Sequence, residues 1–258
     1  YRLVEEDLGA AGIVQAAMTH APKLDVAGLD IGTRIEYARP VGGDLAIVGL
    51  VDGRVYGCIA DISGKGTPAA LFTTLVQHLL DDALDLGMRG ADVIEYINAS
   101  LLQSLPPDRF VTLFYVEIDP GSGSFEYVNA GHPAGLVYRS ATDAIEELGP
   151  TNAILGISEN VPVQTASGRL GPGDVLLLYT DGISEARRCG EFFGVEGIAR
   201  VWANRNRRIG DLSVLARDVC AAANTFHDKP DSPDDRLVLA ARITPAMVSL
   251  SPDPERVN

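Results

Sequence analysis

Cysteine is scarce. The 258 residues carry three, Cys58, Cys189 and Cys220, odd in number and far apart, with no CxxC pair. That spacing supports neither a disulfide framework nor a four-ligand structural zinc site; reduced, mostly buried thiols of a cytoplasmic protein are expected. Basic residues are also short, with 21 Lys+Arg against 35 Asp+Glu and a net charge of −14. A binder of nucleic acid needs a basic footprint to neutralise phosphates, and contact with an anionic membrane surface needs the same. Neither is expected. No apolar run approaches the roughly 18–20 residues of a membrane span. No secretory leader is recognisable, and because the first residue is Tyr1, a longer parent protein is expected. A GxSxG elbow is missing and no Cys sits in a reactive context, so Ser or Cys nucleophilic catalysis is poorly supported.

What is present alternates between strand and helix signals. Residues 1–20 read as a helix, with Val4, Leu8, Ala11 and Met18 at heptad-like spacing and Pro22 ending it. This is either the end of a signalling helix that pairs two chains or an amphipathic helix packed on its own domain. Strand patterns follow at 31–38, 45–51 and 55–60, the last two joined by the hairpin signal Asp52-Gly53. A helix is expected from Thr67, with Leu71, Leu75, Leu79 and Ala83 on one face, and another over 92–105. Strands return at 110–118, 125–130, 136–138 and 175–179, helices at 195–204 and 212–226, and a last strand at 237–243. No repeat or composition shift marks a second domain, so one α+β unit is expected. Segment 1–28 would be a linker helix, 29–244 the domain and 245–258 a disordered tail.

Four aspartates fall where strands end: Asp44 after Val41-Gly42-Gly43, Asp61 before Ile62-Ser63-Gly64-Lys65-Gly66, Asp181 in Tyr179-Thr180-Asp181-Gly182, and Asp234, with Asp235 beside it. Any one of them is at home as a turn cap. Four together, flanked by glycines that allow close backbone approach, point to an oxygen-only site for Mg²⁺ or Mn²⁺. The Ser63–Pro68 stretch reads equally as a phosphate cradle or a tight strand-to-helix turn; it departs from a Walker P-loop because Ile59 stands where glycine is needed. His132, in Asn129-Ala130-Gly131-His132-Pro133, is a general-acid candidate, but a hydrogen-bonded structural role fits a tight turn better.

In this order, with Gly173-Asp174 and Asp234-Asp235, these motifs resemble the bacterial branch of the PP2C-like (PPM) metal-dependent serine/threonine phosphatases, the sporulation and stress-response type. The resemblance spans about residues 30 to 243. It implies a four-layer αββα sandwich and a centre of two Mn²⁺ or Mg²⁺ ions. By that resemblance Asp61 bridges both ions, the Ile62 carbonyl joins the second, Asp44 lies near the second, and Asp181 and Asp234 hold the first. Asp235 is the alternative if the last motif is read one residue later. Asp44 and Asp61 are the catalytic pair. The implied reaction is a single displacement on phosphoserine or phosphothreonine by a metal-activated hydroxide. The implied substrate is a phosphorylated anti-sigma-factor antagonist of STAS-like type, with a homodimer through the N-terminal helix. A catalytically weak partner-binding module of the same fold is the alternative; a phosphodiesterase or nuclease is disfavoured by charge and motif order. Three positions depart from the pattern: Leu45-Ala46-Ile47 replaces an aromatic-containing segment, Ser63 stands where the eukaryotic branch has His, and Arg236-Leu237 follows the paired aspartates in place of Ile-Thr.

Overall fold

The computed structural model describes residues 2–19, 24, 26–159, 162–204, 210–228 and 234–244. The expected tail at 245–258 and the helix-ending Pro22 lie outside them. In chain order the elements are α1 (Arg2–Thr19), β1 (Leu29–Glu36), β2 (Asp44–Val51), β3 (Arg54–Ile62), α2 (Thr67–Asp85), α3 (Ala91–Ser104), β4 (Val111–Ile118), β5 (Ser124–Ala130), β6 (Gly135–Arg139), β7 (Ala144–Leu148), β8 (Ala166–Arg169), β9 (Val175–Tyr179), α4 (Asp181–Ser184), β10 (Arg187–Arg188), β11 (Glu191–Phe192), α5 (Gly194–Ala203), α6 (Leu212–Phe226) and β12 (Arg236–Ile243).

Two five-stranded antiparallel sheets form, in the orders β1-β12-β9-β6-β7 and β2-β3-β4-β5-β8. Alternation along the strands sends side chains to both faces, which builds three cores and hence four layers. Ile59, Phe114, Val116, Leu178, Leu237 and Leu239 meet between the sheets. Cys58, Tyr115 and Val128 meet Val76, Leu80, Ile94 and Ile97 of α2 and α3 on one outer face. Leu177, Val238 and Ala240 meet Ile198, Trp202, Leu215 and Val219 of α5 and α6 on the other. β4 and β9, which read as nearly continuous apolar runs, are the central strands of their sheets and are buried on both faces.

The face of α2 agrees with the sequence expectation in part. Leu79 and Ala83 are buried and Leu75 packs against the same core, but Leu71 is 67% exposed and the buried face is shifted toward Thr73, Val76 and Leu80. The rotation is possible because buried Thr73 is satisfied: its Oγ1 donates to the Ala70 carbonyl at 2.7 Å and accepts from Gln15 Nε2 at 3.0 Å. Gln15 of α1 also holds the backbone of Gly42 from both sides, Nε2 donating to its carbonyl and Oε1 accepting its N–H. Cys58 and Cys220 are buried thiols and Cys189 is exposed; all three are free.

Candidate metal centre

A two-residue turn sets the geometry of the site. Asp52 and Gly53 both adopt positive φ (48° and 76°), the pattern of a tight hairpin turn, and Val51 faces Arg54 across it. That register, carried to the far end of β2 and β3, sets Asp44 directly opposite Asp61. Directly opposed side chains lie about 4.5–5.5 Å apart at Cβ, where like charges repel. The second sheet contributes from the same end of the sandwich. β9 ends at Tyr179, buried Thr180 follows, and Asp181 opens α4. The Thr180 N–H donates to the Leu237 carbonyl and its Oγ1 accepts the Leu237 N–H at 3.0 Å, locking β12 beside it. Gly182 is required by proximity: a Cβ there would stand 2.0 Å from the Asp235 carbonyl oxygen. Asp181 is thereby held against Asp234 and Asp235.

The two neighbouring aspartates do different work. Asp235 accepts the N–H of Ala38 at Oδ1 and of Gly43 at Oδ2, both at 2.8 Å, and so ties the entry to β12 to the loop that delivers Asp44. Asp234 is half exposed, with Oδ2 2.9 Å from Lys65 Nζ. Lys65 reaches it from the turn between β3 and α2, where Gly64 and Gly66 have positive φ and the Arg109 guanidinium lies over Gly64. The Ser63–Pro68 stretch is thus a tight strand-to-helix turn whose lysine faces the acidic cluster.

The electrostatics follow from burial and from five carboxylates acting on one another. Asp44 is 2% exposed, and burial, then the charges of Asp61 and Asp235, hold its carboxyl well above the usual range; Thr180 offsets this in part. Asp61 is pushed up to about 7 by burial and by Asp181, Asp234 and Asp235, with Lys65 opposing. Asp181 rises to about 6 through burial, Asp234 and Glu185. Asp44 Oδ2 is buried with no hydrogen-bond partner. An oxygen-only donor set with an orphaned buried carboxylate oxygen and mutually raised pKa values suits a hard divalent cation. Ligation requires the side chains to draw inward, since no three His, Cys, Asp or Glu groups among the described residues converge closely enough to enclose an ion as they stand. The Ile62 carbonyl lies on the same rim, near a Cβ position on Gly43.

His132 is buried in the strand frame beside the aspartates. It is 4% exposed, burial pushes its ring down to about 3, and its Nδ1 is hydrogen-bonded to Thr112 Oγ1 at 2.9 Å. Thr112 is the β4 neighbour of Asp61, so the neutral ring braces the strand beside the site. Gly173-Asp174 is likewise architectural: Asp174 accepts the N–H of Ser140 and of Gly171 and pairs with Arg139. Thr180 carries no sequence signal beyond its place beside Asp181. A cleft of about 670 Å³ opens next to Asp181 and Asp234 and is walled by α4, the β10–β11 hairpin and the end of α6.

The Stage II sporulation protein E (SpoIIE) family matches residues 51–244. The chain belongs to that family. Over 184 residues it is 27% identical to "Phosphoserine phosphatase RsbU" of Bacillus subtilis (strain 168), covering 71% of this chain and 55% of that protein. It therefore spans about half the length of that curated relative. The SiaA-PP2C domain of Pseudomonas aeruginosa superposes with a TM-score of 0.81 at 19% identity, covering 94% of this chain and 98% of that one. The catalytic domain of the serine/threonine phosphatase PstP, solved with two manganese ions, gives 0.63 at 15% identity, covering 84% and 99%. The two sheets and their helices are thus the fold of PP2C domains. Among the described residues, no helix is long and apolar enough to cross a membrane.

Proposed function

We propose that this SpoIIE-family chain is a divalent-metal-dependent protein phosphatase acting on phosphoserine or phosphothreonine. The observation that carries the reading is that Asp44, Asp61, Asp181, Asp234 and Asp235 lie at one end of the sandwich near enough to act on one another's charge, with Asp44 Oδ2 buried and unpaired. The proposed ligands of two Mn²⁺ or Mg²⁺ ions are Asp44, Asp61, the Ile62 carbonyl, Asp181 and Asp234. When bound, such ions supply charge neutralisation for a phosphoryl group and an activated water for in-line displacement. The chain's own contribution is positional. The Asp52-Gly53 turn sets Asp61 opposite Asp44, Thr180 and Gly182 hold Asp181 to the start of β12, and Asp235 fixes the loop before Asp44. Asp235 spends both oxygens on backbone N–H groups at 2.8 Å, whereas half-exposed Asp234 is held by Lys65 and by a longer contact from the Asp235 N–H at 3.2 Å, which favours Asp234 as the ligand of the pair.

Within the same proposal, residues 29–244 form the catalytic unit, 1–28 a linker segment, and the setting is cytoplasmic. The substrate is a phosphorylated anti-sigma-factor antagonist, supported by family membership and by the phosphoserine phosphatase named among the relatives. Pairing of two chains through α1 is supported by its exposed Ile13 and Val14, the latter bordering a groove with exposed Leu71. The test is phosphate release from p-nitrophenyl phosphate and from a phosphoserine peptide with Mn²⁺, Mg²⁺ or EDTA. Turnover that is lost in EDTA is expected. A folded sample that is inactive with every metal contradicts the reading and favours the partner-binding module.

A further inference from the structure

The wall of the cleft beside the aspartates carries two nitrogen donors that no described residue uses. Arg236 opens β12 directly after Asp235, is 7% exposed, and has its Nε buried without a hydrogen-bond partner. Alternation along β12 places it on the outer face with Val238 and Ala240, away from the inter-sheet core that takes Leu237 and Leu239. His227 caps the end of α6. Its Nδ1 accepts the Arg187 N–H at 3.0 Å, so the proton of the neutral ring sits on Nε2, which is also buried and unpaired. Both side chains line the cleft whose inner end is Asp181 and Asp234. The Arg236 Nε is a buried donor without an acceptor, which is costly, since its cross-strand neighbour Glu36 pairs with Arg34; on a cleft wall such a donor is accounted for by an anion that arrives with a ligand. The need is sharper in a protein of net charge −14, where an anionic segment meets general repulsion and only local cations can hold it.

We propose that Arg236, assisted by His227 Nε2, forms an anion-binding subsite for the substrate segment that enters this cleft. The group taken is an oxyanion, either the phosphoryl group itself or a carboxylate side chain beside the phosphoserine, matched by the planar fork of the guanidinium. The inference rests on the phosphatase reading for what the cleft holds.

Binding to the full chain in Mg²⁺ tests it. Two fluorescent peptides carry the non-hydrolysable phosphonate analogue of phosphoserine, one with Glu flanks and one with Gln flanks, and inorganic phosphate serves as competitor. Arg236→Met is expected to weaken binding of the Glu-flanked peptide by about tenfold, the scale of one charge-assisted hydrogen bond, and His227→Ala by less. If the anion is the phosphoryl group, the Gln-flanked peptide and inorganic phosphate weaken alike; if it is a flanking carboxylate, only the Glu-flanked peptide does. Arg236→Gln repeats the measurement with a polar side chain should the Met variant unfold. Unchanged affinity in a folded variant for all three probes, or no binding of any probe by the wild type, overturns the proposal. Turnover of p-nitrophenyl phosphate by the wild type, measured in parallel, separates the two readings. Its absence alongside Arg236-dependent binding sinks the phosphatase assignment and leaves the subsite standing.

Discussion

Asp44 and Asp61 face one another across two strands, and no group among the described residues neutralises both. Lys65 pairs with Asp234 and offsets Asp61 only in part, and Thr180 gives Asp44 a single hydrogen bond. If this pair and Asp181 exist to hold cations, Asp61→Ala and Asp181→Ala lower metal-dependent turnover by on the order of 10³-fold, the scale seen when a key transition-state stabiliser is removed. Their melting temperatures in EDTA stay equal to or above that of the wild type, because a like charge has been taken from a crowded cluster. Near-wild-type turnover in either variant contradicts the assignment. Asp235 behaves differently. Asp235→Ala strands the N–H groups of Ala38 and Gly43 and is expected to cost about 1–3 kcal/mol in urea unfolding. The candidate site was legible at this scale because aspartate beside glycine at strand ends is a pattern of residue types. Lys65 on Asp234, Thr180 on Leu237 and the unpaired Nε of Arg236 were not, since each depends on which side chains from distant segments share one corner.

Each element holds its place through identifiable contacts. Burial works against the charged form of Asp174, but the Ser140 N–H, Arg139 and the Gly171 N–H outweigh it and hold the carboxyl below its usual range. A carboxyl depressed on folding stabilises the fold above its unfolded value, near pH 4, and that contribution disappears as pH falls through the folded value. Asp174→Ala is therefore expected to lose about 1–3 kcal/mol at pH 7 and much less near pH 2.5, compared by urea unfolding at the two pH values. Equal losses at both would refute the charged contact as the source. At the other end of the domain, Gln15→Leu removes the double hydrogen bond to Gly42 and the contact to Thr73. Faster amide exchange at Gly42 than in the wild type is expected, by about tenfold or more.

The central strands and long helices were legible because burial on one or both faces imposes a hydrophobic period. β7 and β8 were not. They lie at the ends of their sheets, their sequences Ala144–Leu148 and Ala166–Arg169 are largely polar or small, and neither face is fully covered. On α2 only Leu71 was misplaced: the buried face is shifted toward Thr73, which looks polar in sequence yet is satisfied by Ala70 and Gln15.

At the scale of the whole molecule, two sheets pack face to face and are covered on both sides, so the loops at one end are gathered by a rigid frame. The fold class was legible from the order of strands and helices together with the motif series. The sharing of one site between both sheets was legible only through that resemblance, because hydrophobic patterns specify which residues are buried and not which strand ends meet. The central claim is that this shared acidic corner binds divalent cations. Calorimetric titration of the metal-free protein with Mn²⁺, wild type against Asp61→Ala, tests it most directly. Saturable binding by the wild type, at least tenfold weaker in the variant and accompanied by a higher melting temperature only in the wild type, is the predicted result. A wild type that takes up no Mn²⁺, or a variant that binds it equally well, contradicts the account.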